Sequence, residues 1–200
     1  MTRLLLVRHA TTDETGKRLT GRLPGVGISP AGALQAEAAA RLLEGLPIAA
    51  VYTSPLRRCR ETARILAAPH GIDPVPYRSL IEVDYGSWSG RTLSSLRRTT
   101  AWRALLTTPS RVTFPGGERL GDVQARGVAA CEDLAAAHRN ASIVLVSHGD
   151  VIKAILAHYL GTPFDLFQRI VVAPASVSEI ELPADGFARV HRLNHVAGAS

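Results

Sequence analysis

The sequence predicts an α/β fold, a three-layer sandwich in which helices flank a mostly parallel central sheet, and three observations carry that prediction. Apolar runs of strand length alternate along the chain with longer segments of helical periodicity. Two of those runs, Leu4-Leu5-Leu6-Val7 and Ile143-Val144-Leu145-Val146, are apolar at every position, as suits parallel strands covered on both faces. Each run leads into a histidine, His9 after Arg8 and His148 after Ser147, at the strand end where open α/β sheets place their ligands. A chain of 200 residues with 46% hydrophobic content can bury one core, and residues 1–200 are read as a single domain.

After the first strand, residues 10–28 form a polar, glycine-rich loop, long enough to be functional. Ser29-Pro30 reads as the N-cap and first residue of a helix, with Leu34, Ala38 and Leu42 at helical spacing up to Gly45. Residues 49–53 form the next strand. Ser54-Pro55 repeats the helix-start pattern and places Arg57, Arg58, Glu61 and Thr62 in the opening turns, where free N–H groups and the macrodipole attract anions. That helix ends near His70-Gly71, residues 75–77 make a brief strand, and a loop over residues 80–86 follows. Residues 92–107 read as one Arg-rich helix within a short helical cap at about residues 83–114. Pro115-Gly116-Gly117-Glu118 then opens a helix whose Leu120, Val123, Ala130 and Leu134 share one face. A strand to His148, a helix over about residues 150–160, and weaker strand signals at 170–172, 177–181 and 188–193 complete the chain.

The formal charge of +6 invites a nucleic-acid reading, but its distribution argues against one. Lys17 and Lys153 are the only lysines among 23 basic residues, and the arginines are scattered apart from Arg57-Arg58-Cys59-Arg60 and Arg97-Arg98. No recognition-helix or glycine-aromatic RNA pattern accompanies them, so local anion contacts are expected in place of a nucleic-acid partner. No stretch has the length of a membrane span, and the N-terminus lacks the pattern of a secretory signal, so a cytoplasmic location is expected. Cys59 and Cys131 lie on separate helices without metal-ligand spacing and read as buried thiols. His191 and His195 fall on a strand running into a tail, a poor metal pair; His70, His138 and His158 sit near helix C-termini, where the dipole explains them. Trp88 and Trp102 read as packing residues. Neither a metal nor a cofactor is expected.

Arg8, His9, Arg58 and His148 can all be placed on the C-terminal side of strands. Phosphoryl transfer needs an in-line nucleophile, positive donors on the equatorial oxygens and a proton for the leaving oxygen. Two arginine forks and one histidine can supply the donors while the other histidine attacks. Five separated segments then bear a resemblance: Leu6-Val7-Arg8-His9; Ser54-Pro55-Leu56-Arg57-Arg58 with Glu61-Thr62-Ala63; Glu82 with Gly86-Ser87-Trp88-Ser89-Gly90; Pro115-Gly116-Gly117-Glu118; and Val146-Ser147-His148-Gly149. In this order they resemble the histidine phosphatase superfamily, the phosphoglycerate-mutase-like family, from residue 3 to about residue 160.

The resemblance implies a phosphoglycerate-mutase-like fold, with His9 as the nucleophile that becomes phosphohistidine, Arg8, Arg58 and His148 as ligands of the phosphoryl group, and Glu82 as the proton donor. Gly149 follows His148 at the same subsite. A carboxyl beside a phosphate dianion should have its pKa raised, which suits Glu82 to donation; neighbouring cations should keep His9 neutral. Asp84 is the nearest competitor for the acid role, and Glu118 is read as either a substrate contact or a helix cap. Ala10 and Thr11 stand where the family usually has Gly-Glu, Thr15 where it often has asparagine, and Gly21-Arg22 where it has glycine after a polar residue; Thr15 and Gly21 are taken as further substrate contacts. The expected function is hydrolysis of a small phosphorylated metabolite by a monomer or homodimer. The first alternative is a phosphoglycerate mutase, whose relatives carry a longer insertion than residues 83–111 allow; the second is a phospho-ligand binding module without catalysis.

Overall fold

A computed structural model describes residues 1–183 and 187–198. Its strands are β1 (Thr2–Arg8), β2 (Ile48–Thr53), β3 (Val75–Pro76), β4 (Ser142–Ser147), β5 (Val177–Leu182) and β6 (Arg189–His195). Its α-helices are α1 (Pro30–Leu43), α2 (Arg57–Ala67), α3 (Leu93–Leu96), α4 (Thr100–Thr107), α5 (Leu120–Ala137) and α6 (Gly149–Tyr159). One sheet takes the order β3, β2, β4, β1, β5, β6. β1, β2, β3 and β4 run parallel, β1 pairing Leu4 with Ile143 and Arg8 with Ser147 of β4. β5 lies antiparallel to β1, and β6 antiparallel to β5.

The continuous apolar runs are explained by burial on both faces. Leu4 and Leu6 of β1, with Ile143 and Leu145 of β4, enter a core built with α5, α6 and the aromatic side chains Tyr85, Trp88, Phe114 and Phe167. Leu5, Val7, Val144 and Val146 point the other way, into a core of smaller side chains from α1 and α2, among them Ala36, Ala39, Ala63 and Cys59. Small residues let these two helices approach the sheet closely, and α2 thereby brings its first turn to the C-terminal ends of β1 and β4.

Three expectations about the elements need correction. The buried face of α1 is Gly32, Ala36, Ala39, Ala40 and Leu43, with Leu42 packed at its edge, while Leu34 is 67% exposed; alanine is the main packing residue, so Leu34 is not one of the core positions. Residues 92–107 are two helices, α3 and α4, because Thr99 starts a new N-cap, its hydroxyl accepting from Trp102 N–H at 3.1 Å. Residues 170–172 are not a strand: the chain there leaves a 3₁₀ helix (Phe164–Arg169), and the Val172 carbonyl accepts from Arg8 Nη1 at 2.6 Å. Ser29 does cap α1 as expected, accepting from Gly32 N–H at 3.1 Å. Leu120, Val123, Ala130 and Leu134 are all buried, and Trp88 and Trp102 stack within the aromatic core. Cys59 and Cys131 are buried free thiols. Among the described residues no helix is long and apolar enough to cross a membrane.

Candidate active site

β1 and β4 are neighbours in parallel register, so the residues just beyond their ends, His9 and His148, meet with ring centroids 5.3 Å apart. Both rings are buried. His9 Nδ1 lies 2.8 Å from the Ala10 carbonyl oxygen. A carbonyl can only accept, so Nδ1 carries the proton and Nε2 keeps its lone pair. Arg58 Nε approaches that nitrogen at 3.3 Å. Burial first, then the guanidinium groups of Arg58 and Arg8, holds His9 down at about 3. The ring therefore stays neutral and nucleophilic well into the acid range.

Arg58 is 1% exposed, and its side chain is held from several directions. Nη2 donates to the Gly21 carbonyl at 2.8 Å, approaches His148 Nδ1 at 3.1 Å and lies 3.9 Å from Glu82 Oε2. Its Nη1 and the Nε of Arg8 are buried N–H groups without a partner among the described residues. They can serve as donors to an anion without disturbing existing bonds. The α-carbon of Gly149 is packed against Arg8, since a Cβ there would sit 3.3 Å from Arg8 Nε. Gly21 contributes its carbonyl oxygen, and Thr15 closes a turn, its hydroxyl accepting from Thr12 N–H at 2.9 Å.

Glu82 reaches the same space from the loop after a 3₁₀ turn at Arg78–Leu80. Its Oε2 is 3.5 Å from His148 Nδ1, and its Oε1 accepts from Val83 N–H at 3.0 Å. Burial first and Asp150 second push its carboxyl up to about 7, against the opposing pull of Arg58. A carboxyl in that range can donate a proton and later recover one. Asp84 is turned elsewhere: it accepts from Gly86 N–H at 3.0 Å and lies 3.4 Å from Arg22.

Two site residues escaped the sequence reading. Ser54 does not cap α2, whose N-cap is Leu56 without a side-chain bond; its hydroxyl sits 2.7 Å from His148 Nε2. Since Arg58 can only donate to Nδ1, His148 carries its proton on Nε2 and donates to Ser54. Asp150, accepting from the Tyr85 hydroxyl at 2.7 Å, is the second, and a carboxylate one residue into a helix looks like routine dipole chemistry. Glu118 neither caps α5, whose N-cap is Arg119, nor stands alone: it pairs with Arg22 and Arg126. Among the described residues no group of three His, Cys, Asp or Glu side chains has metal-holding geometry.

Comparison with known proteins identifies the family. Residues 4–195 match the model of the histidine phosphatase superfamily (branch 1). Bifunctional protein Rv2228c of Mycobacterium tuberculosis is 32% identical over 195 residues, 96% of this chain but 54% of its own length. The chain thus spans about half of that relative. Phosphoserine phosphatase 1 of Hydrogenobacter thermophilus is 30% identical over 187 residues, covering 91% of this chain and 87% of its own. A probable phosphoglycerate mutase of an Enterobacter species is 31% identical over 188 residues, covering 90% and 85%. The solved structure of Bacillus stearothermophilus YhfR superposes with a TM-score of 0.91 at 28% identity, covering 98% of each chain.

Proposed function

We propose, from the premise that the chain belongs to the histidine phosphatase superfamily (branch 1), that it is a phosphomonoester hydrolase working through a phosphohistidine on His9. The observation that carries the reading is the fixed tautomer of His9: a buried, neutral ring whose Nε2 lone pair faces the cationic pocket of Arg58 and Arg8. In the first half-reaction Nε2 attacks phosphorus and the ester P–O bond breaks. Arg8 and Arg58 stabilise the equatorial oxygens, His148 holds Arg58 in place through Nδ1, and Glu82 gives its proton to the departing alkoxide. In the second, the Glu82 carboxylate takes a proton from water, the resulting hydroxide attacks phosphorus, and the P–N bond breaks to return neutral His9 and inorganic phosphate. A bound phosphate dianion adds like charge beside Glu82 and favours its protonated form before the first step. No step draws on a metal or organic cofactor.

The finer reading is a histidine-type acid phosphatase of the cytoplasm acting on a small phosphorylated metabolite. His9 stays neutral down to about 3 and Glu82 stays protonated below about 7, a combination suited to acid conditions. Hydrolysis is favoured over mutase chemistry because residues 83–111 hold only short helical pieces, a cover that leaves a phosphoenzyme open to water. A relative named a phosphoserine phosphatase supports the same choice, and one named a probable phosphoglycerate mutase keeps the isomerase as the second reading.

The purified chain, offered a panel of phosphomonoesters, is expected to release inorganic phosphate with EDTA present and to be inhibited by vanadate, which mimics five-coordinate phosphorus. Activity lost to chelator and restored by a divalent cation contradicts the proposal. With 3-phosphoglycerate and a trace of bisphosphoglycerate, it should form far less 2-phosphoglycerate than the phosphate it releases from its best substrate. Efficient interconversion without phosphate release selects the mutase.

A further inference from the structure

Pro115-Gly116-Gly117-Glu118 docks against the segment that carries Glu82, backbone on backbone. Ser87 N–H donates to the Pro115 carbonyl at 2.9 Å, and Glu118 N–H to the Asp84 carbonyl at 2.9 Å. A Cβ on Gly86 would lie 2.1 Å from the Pro115 oxygen and one on Gly117 2.2 Å from the Asp84 oxygen, so the two glycines permit the approach. The Glu118 carboxylate then accepts from Asp84 N–H at 2.9 Å. It also accepts from Arg126, at 3.1 Å from Nε and 3.2 Å from Nη2, and lies 2.9 Å from Arg22 Nη2. Both arginines converge on one atom, the carbonyl oxygen of Glu82, with Arg22 Nε at 2.9 Å and Arg126 Nη2 at 3.3 Å. Arg126 Nη1 extends the grip to the Ser79 carbonyl at 2.6 Å.

We infer that Glu118 is a positioning residue for the acid step, its carboxylate aligning Arg22 and Arg126 on the Glu82 carbonyl and cancelling their charge beside the acid. The inference rests on Glu82 being the proton donor. The charged and titratable groups facing Glu82 are Arg8 from β1, Arg58 and Cys59 from α2, His148 at the start of α6 and Asp150 within it, Tyr85 from its own loop, Arg22 from the first loop, and Arg126 from α5. Arg22 and Arg126 are the two that Glu118 neutralises. Burial pulls the Glu118 pKa upward, but Arg126, the Asp84 N–H and Arg22 outweigh it and hold the carboxyl below its usual range. It is therefore ionised at neutral pH. Without that charge, two uncompensated guanidinium groups would favour the Glu82 carboxylate, the form that cannot donate.

The test compares kcat/KM for glycerol 2-phosphate, a poor leaving group, with that for 4-nitrophenyl phosphate, across pH. This ratio reports steps up to phosphoenzyme formation, so slow dephosphorylation does not mask it. Glu118→Gln keeps the shape and an acceptor for Asp84 N–H. It should cost about tenfold or more on the alkyl ester at pH 7, within the about 10²–10⁴-fold that general acid catalysis supplies, and much less on the nitrophenyl ester. The falling alkaline limb of the alkyl profile should move to lower pH. Arg22→Gln, at a partly exposed side chain, removes a cation instead and should move that limb to higher pH; it serves even if Glu118→Gln folds poorly by circular dichroism. Equal losses on both esters in Glu118→Gln, or limbs that stay with wild type in both variants, overturn the inference. Glu82→Gln, measured alongside, separates the two levels: equal losses on both esters in that variant overturn the acid itself, whereas a selective loss upholds the acid and lets the other two variants decide the role of Glu118.

Discussion

The ends of β1 and β4 look alike in sequence and differ in what the structure does with them. Each is an apolar strand delivering a buried histidine to one point of the sheet edge, and burial lowers the pKa of both, His9 to about 3 and His148 well below its usual value. The hydrogen bonds separate them. His9 bonds the carbonyl of its own neighbour through Nδ1, and its Nε2 accepts only one long bond, 3.3 Å from Nε of the pocket's own Arg58. His148 is held at both nitrogens, by Arg58 at Nδ1 with Glu82 beyond, and by Ser54 at Nε2. A ring whose Nε2 holds its lone pair toward an anion-binding guanidinium at 3.3 Å can exchange that one long bond for a bond to phosphorus; a ring held at 3.1 Å and 2.7 Å at its two nitrogens is a placed contact. Nucleophile and binding residue are thus distinguished by second partners, not by burial or charge.

The largest effect should come from His9. His9→Ala removes the reaction pathway and should cut phosphate release by about 10⁴-fold or more, measured in single-turnover assays. Comparable residual activity in His9→Ala and His148→Ala would erase the distinction. His148→Ala removes the acceptor that holds Arg58 Nη2 beside the transferring group and should cost about 10²–10³-fold while His9 still takes label. Ser54→Ala leaves both histidines and loosens only the fixed end of His148, so a loss of about tenfold in kcat is expected. A wild-type rate in Ser54→Ala would show that His148 needs no anchor.

The smallest effect is on stability and its sign is set by linkage. His9 is neutral in the fold, with a pKa depressed to about 3 from 6.5, so its contribution is present above 6.5 and lost as pH falls toward 3. His9→Ala should therefore lose less thermal stability than wild type on going from pH 7 to pH 4. Glu82 runs the other way: raised from 4.5 to about 7, it contributes fully below 4.5, and that contribution is gone once pH has risen past 7. The melting temperature of Glu82→Gln should gain on wild type from pH 5 to pH 8. Calorimetry showing parallel pH curves for each variant and wild type would contradict the buried titrations.

The sequence made the strand ends legible because only a sheet covered on both faces explains two fully apolar runs, and a histidine following each has no core role. Ser29-Pro30 was legible as a cap for the same local reason. Ser54-Pro55 looked identical and was not a cap: what distinguishes Ser54 is a histidine 94 positions away, and no local pattern reports that. Glu118 was undecided in sequence because its partners Asp84, Arg126 and Arg22 come from three other segments. The α1 face was misread because alanines fill most of it and Leu34 lies outside. Local chemistry and period were readable; contacts made across the fold were not.

The distinction between the two histidines is tested by phosphorus label itself. Wild-type protein mixed with labelled phosphomonoester, quenched in alkali within the first turnover and digested for peptide mapping, should carry acid-labile label on His9 through Nε2 and none on His148. His148→Ala should still become labelled at His9, more slowly, and His9→Ala should carry none. Label on His148, or full turnover by wild-type protein with no histidine labelled, would contradict the assignment.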